Sequence, residues 1–94
     1  MSTAGSMNNP SDAEPSRQCP NPGLSDREVE VMLAWFHCDT KVNVGRELHI
    51  SLGTVNTHLS RTRHKYESVG RAAPTKAALV ARALQDGMID VDDL

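Results

Sequence analysis

From Leu24 to Gly87 the apolar residues recur at intervals of three and four, the spacing of helices that each bury one stripe. Ser25 followed by Glu28 fits a capping box. A first helix is therefore expected from about Asp26 to His37, burying Val29, Met32, Leu33 and Phe36. Thr40 can cap a short second helix, Lys41 to about Leu48, with Val44 and Leu48 pointing inward and Gly45 permitting a close helix contact. His49 and Ile50 make a turn. Ser51 caps a third helix ending near Glu67, and after a loop with Val69, Gly70 and Pro74 a last helix runs from a Thr75 cap to a stop at Gly87.

Two of these helices carry unusual faces. In the third, Val55, Leu59, Thr62 and Tyr66 share one narrow band, while Asn56, Thr57, Ser60, Arg61, Arg63 and His64 stand opposite, with no acid until Glu67. In the last, Ala77, Val80, Ala81 and Leu84 form a stripe that suffices to cover a small core, and Leu79 and Ala83 lie roughly opposite it. That second stripe needs another partner. A homodimer contact through the last helix is expected, made by Leu79, Arg82, Ala83 and Asp86.

Composition sets the frame. Residues 1–23 hold four of the five prolines and almost no bulky apolar side chain, as in a flexible arm, leaving residues 24–94 as one all-α domain, a four-helix bundle. With only Trp35, Phe36 and Tyr66 as aromatics, its core is aliphatic. There is neither an apolar run of about 18 residues nor a signal-peptide pattern, so a soluble, cytoplasmic protein without a membrane partner is expected.

Catalytic and metal chemistry find little footing. Cys19 and Cys38 form no CxxC spacing, and His49, His58 and His64 contain no i, i+4 pair, so no metal or other cofactor is expected. The consecutive residues His37, Cys38 and Asp39 project in different directions from a helix end and cannot line up as nucleophile, base and acid. The chain does not read as an enzyme.

Charge points elsewhere. The formal net charge is −2, yet residues 41–76 hold seven basic side chains (Lys41, Arg46, Arg61, Arg63, Lys65, Arg71, Lys76) against two acids, Glu47 and Glu67. A basic patch in an acidic frame suits a polyanion bound at one surface. A short helix, a turn and a polar-faced helix describe a helix-turn-helix reader of DNA.

Here the sequence resembles the DNA-binding domain of LuxR-type regulators, found at the C-terminus of many bacterial response regulators. The family's opening pattern falls on Leu24, Ser25, Arg27, Glu28, Glu30 and Val31. Its scaffold and recognition helices fall on Val44, Gly45, Leu48, Ile50, Ser51, Thr54, Val55, His58 and Lys65, without a gap. The resemblance covers about residues 24–89. The chain departs from the family at Cys38, where Gly is usual, at Thr62, where an aliphatic residue is usual, and in its longer loop before Pro74.

The resemblance implies a sequence-specific transcriptional regulator that places its third helix in the major groove of double-stranded DNA. Positions matching Asn56, Thr57 and Ser60 read bases in the family. Arg61 is the candidate for guanine, and Arg63 serves guanine or phosphate. Ser51 and Thr54 at the helix start suit a phosphate. His58 is a packed ring or a phosphate contact, and Lys41, Lys65 and Arg71 are expected backbone clamps. The alternative is a helix-turn-helix retained for protein contact, as in region 4 of sigma factors. The acidic end IDVDDL belongs to that reading as a contact for a basic protein, while RNA polymerase is an expected further partner of the DNA-bound regulator.

Overall fold

The computed structural model describes residues 20–94, so the expected arm, residues 1–23, lies largely outside the described residues, as does Cys19. Among the described residues a hydroxyl side chain starts each α-helix. In α1 (Asp26–His37) Ser25 Oγ accepts from the Glu28 backbone N–H at 3.1 Å while Glu28 Oε1 accepts from the Ser25 N–H at 2.9 Å, the reciprocal pair its spacing implied. Thr40, Ser51 and Thr75 accept in the same way from Asn43, Thr54 and Ala78, opening α2 (Lys41–Leu48), α3 (Leu52–Ser68) and α4 (Lys76–Gln85). A 3-10 turn, Val91–Asp93, follows. The described residues are all-helical, as expected, and contain no strand.

The turn between α2 and α3 is set by two residues. His49 adopts a left-handed conformation (φ 59, ψ 44), and the Ile50 N–H returns to the Gly45 carbonyl at 2.9 Å. A Cβ on Gly45 would stand 2.6 Å from Ile50 O, so only glycine admits this closure. What the glycine accommodates is the turn's own carbonyl, with Val55 of α3 behind it at 3.7 Å.

α3 packs against α1 and α2, and α4 against α1. Between them lie Val31, Met32, Val44, Val55, Leu59, Tyr66, Ala73, Leu79 and Ala83. The buried band of α3 is the one its periodicity gives: Val55, Leu59, Thr62 and Tyr66. In α1 the fully buried residues are Val31 and Met32, with Glu28, while Val29, Leu33 and Phe36 are half-buried. Because α2, α3 and α4 all pack on it, α1 buries a broad arc whose centre one-sided periodicity misplaces by a residue or two.

On α4 the expected faces are exchanged. Leu79 and Ala83, expected at a dimer contact, are fully buried, whereas Ala77 and Ala81 of the supposed inner stripe are exposed, with Val80 and Leu84 half-buried. The polar residues flanking Leu79 explain the exchange. Arg82 Nη2 donates to the Ala72 carbonyl at 3.0 Å, Lys76 Nζ to the Cys38 carbonyl at 3.1 Å, and Asp86 accepts from Arg71 and Tyr66. A stripe bordered by charges faces inward because the segments beside it supply each of these side chains with a partner, although Arg82 Nε is enclosed without one among the described residues. Arg82 and Asp86 are thus occupied within the subunit.

Leu79→Ala is expected to lower unfolding stability by about 2–5 kcal/mol, as for a buried leucine. Ala81→Ser should stay within about 0.5 kcal/mol, as at a surface site. Urea midpoints of the two variants decide this, and the opposite order would return Leu79 to the surface.

Candidate nucleic-acid interface

Burying one seam of α3 turns the rest of the helix outward. Asn56, Thr57, Ser60, Arg61 and His64 are all exposed, and among the described residues no hydrogen-bond or ion-pair partner engages the side chains of Asn56, Ser60, Arg61 or His64. Thr57 Oγ1 donates back to the Gly53 carbonyl at 2.9 Å, which fixes its rotamer and leaves its methyl and remaining lone pairs outward. Ser60, Arg61, His64 and Lys65 line a shallow depression along this side. The strip is short-chained and polar at its N-terminal end and cationic further along.

The start of α3 adds positive potential of its own. Its first turn contains no acid, so the N-terminal N–H groups and the helix dipole are uncompensated by carboxylates. Ser51 Oγ takes one of those N–H groups, Thr54 at 3.1 Å, and stands 2.9 Å from Thr54 Oγ1. Both hydroxyls are exposed and adjacent, in a position to meet a phosphate.

The remaining cations divide by their partners. Arg63 is half-buried at the margin of the strip, where it lines a groove with Glu67, Ala72, Ala73 and Pro74. Lys41 stands over the Trp35 ring at 5.3 Å, with Lys76 at the same distance from that ring. His58 is half-buried with Nδ1 enclosed and unpartnered among the described residues, which makes it a packed ring with its other edge outward. Arg46, counted at the sequence level only as charge, is exposed beside Val42, His49 and Leu52 in a groove along the turn.

Two expected clamps serve the protein itself. Arg71 is buried, with Nη2 2.8 Å from Asp86 Oδ1, so its expected contact with a DNA backbone is corrected to an internal ion pair. Lys65 keeps a partly exposed side chain but directs Nζ to the buried Glu28 carboxylate at 2.7 Å. Burial pushes the Glu28 carboxyl up. The Lys65 hydrogen bond, the Ser25 N–H, the Lys65 charge and the Ser25 hydroxyl together outweigh that and hold it below the usual range.

These features define a class: a helix-turn-helix whose second helix is gripped by the body while its outward face, free of carboxylates up to Glu67, is suited to duplex DNA. Residues 22–75, more than half of the chain, match the family described as bacterial regulatory proteins, luxR family, and the chain belongs to it. The matched region contains α1, α2 and α3 and stops before α4. No curated protein and no solved structure shows significant similarity to the chain.

Because the Glu28 carboxyl titrates lower in the folded than in the unfolded chain, its contribution is full above the ordinary carboxylate value and is lost as pH falls through the folded value. Stability should therefore decline below about pH 4.3. Glu28→Gln should lower stability at pH 7 and flatten that decline, as read from urea midpoints across the acid range. An equally steep acid limb in the variant would show that another carboxylate governs it.

Proposed function

We propose that this chain is a sequence-specific DNA-binding regulator of transcription that reads the major groove with α3, the output unit of a two-component or quorum-type regulator. The observation that carries this reading is the exposed strip of Asn56, Thr57, Ser60 and Arg61, short and uncharged at the leading end and cationic behind it. A carboxylate there would be repelled by phosphates, and long side chains would hold the helix off the base edges in a groove about 12 Å wide. Asn56 suits adenine N6 and N7, and Arg61 suits guanine O6 and N7. Ser51, Thr54, Lys41 and the outer edge of His58 fix the helix on the backbone.

The dimer reading moves to the other side of α4. With Leu79 and Ala83 committed to the core, the exposed and half-buried Ala77, Val80, Ala81 and Leu84 form the apolar face that a second copy would cover. Two recognition helices related by that contact would enter grooves about one helical turn apart.

Asn56→Ala and Arg61→Ala should each cost about 1–3 kcal/mol of preference for a duplex selected from a random pool over scrambled DNA. Log affinity of the native chain should fall linearly with log salt, by about 0.9 per phosphate neutralised. An unchanged preference in both variants would remove these residues as base readers. Binding insensitive to salt would favour a protein-contact module.

A further inference from the structure

The loop between α3 and α4 contains an arginine that no DNA contact can use. Arg71 is 6% exposed, and among the described residues its guanidinium meets three segments of the chain. At the end of α4, Nη2 donates to Asp86 Oδ1 at 2.8 Å and to Gln85 Oε1 at 3.0 Å, and Nη1 lies 3.3 Å from Asp86 Oδ2. In the segment leading into α1, the Pro20 carbonyl accepts from Nη1 at 2.8 Å. In the last turns of α3, the Tyr66 ring lies beneath the guanidinium at 5.2 Å, and its hydroxyl donates to Asp86 Oδ2 at 2.8 Å. Beside this cluster Lys65 reaches the Gly23 carbonyl at 3.3 Å, a second tie on the same lead-in segment.

A planar, permanently charged fork bound on several edges has few alternative arrangements, so the groups it joins move together. A buried ion pair is weak evidence for stability, since apolar residues of similar volume often replace one without loss, but its geometry can select one arrangement over others. Arg71 lies within the region that matches the family, whereas its partner Asp86, the C-cap of α4, lies beyond it.

We propose that Arg71 is a positioning residue that fixes the angle of α4 to the recognition helix and to the chain arriving at Pro20, and thereby sets the spacing at which a dimer reads paired half-sites. This rests on the DNA reading and the α4 dimer above. A displacement of the lead-in segment is transmitted to the dimer face through the Arg71 guanidinium, without any change in the residues that touch bases.

The test uses the full chain with Arg71→Lys, which keeps the charge and loses the fork, and Asp86→Asn, which keeps the volume and an acceptor. Duplexes selected by the native chain are presented with one half-site, and with two at a series of spacings. Single half-site affinity should stay within about threefold of native. The advantage of paired over single sites should fall about tenfold, with a broader spacing optimum. Amide exchange at residues 85–88 and at Gly23 should quicken together.

An unchanged paired-site advantage and spacing would overturn the proposal, as would equal losses on both duplexes, which mark simple destabilisation. Circular dichroism confirms folding, and if Arg71→Lys is unfolded the milder Asp86→Asn decides. A native chain that binds neither duplex sinks the DNA reading itself. One that binds single sites with no advantage for pairs sinks the dimer, and this inference with it.

Discussion

Everything in this domain depends on how narrow the buried seam of α3 is. Val55, Leu59, Thr62 and Tyr66 are the helix's whole buried contribution. Thr62 fits among apolar neighbours because its hydroxyl donates to the His58 carbonyl one turn back, at 2.8 Å, and so carries no unmet polar group inward. A wider seam would draw Asn56 or Ser60 toward the core. The narrow one holds the helix against α1 and α2 and leaves its opposite side to solvent.

The end of that seam is also where the rest of the molecule is tied together. Tyr66 is buried and bonded to Asp86. Burial, then the hydrogen bond and charge of Asp86, push its hydroxyl well above the usual range, offset in part by Arg71 and Arg82. As the neutral phenol it donates to the Asp86 carboxylate. Through it the recognition helix is coupled to α4 by a directional bond as well as by packing. The lead-in segment joins the same point through Arg71, so three parts distant in sequence share one anchor.

The basic window of residues 41–76 consequently means less for DNA than its total suggests. Lys65, Arg71 and Lys76 direct their charge at Glu28, Asp86 and the Cys38 carbonyl, where buried or half-buried partners hold them. Arg46 and Arg61 face solvent, with Arg63 at the margin. The outward potential thus comes from fewer cations, reinforced at α2, α3 and α4 by first turns without acids. Placement relative to carboxylates, more than the count of charges, sets how many phosphates the surface can neutralise.

The hydroxyl caps at Ser25, Thr40, Ser51 and Thr75, the left-handed stop at Gly87 and the seam of α3 were legible in the amino-acid sequence, because each is decided within a turn or two of helix. The polar strip of Asn56, Thr57, Ser60 and Arg61 followed from the same local periodicity. On α4 periodicity allowed two apolar stripes, and the choice between them lay in partners outside the helix: Ala72, Cys38 and Arg71. The fates of Lys65 and Arg71 were likewise set 37 and 15 residues away, at Glu28 and Asp86. Local backbone and side-chain preferences determined where helices begin, end and show a polar face. Which charges point inward was decided only by tertiary structure, because a buried cation is tolerable only where the fold brings it an acceptor.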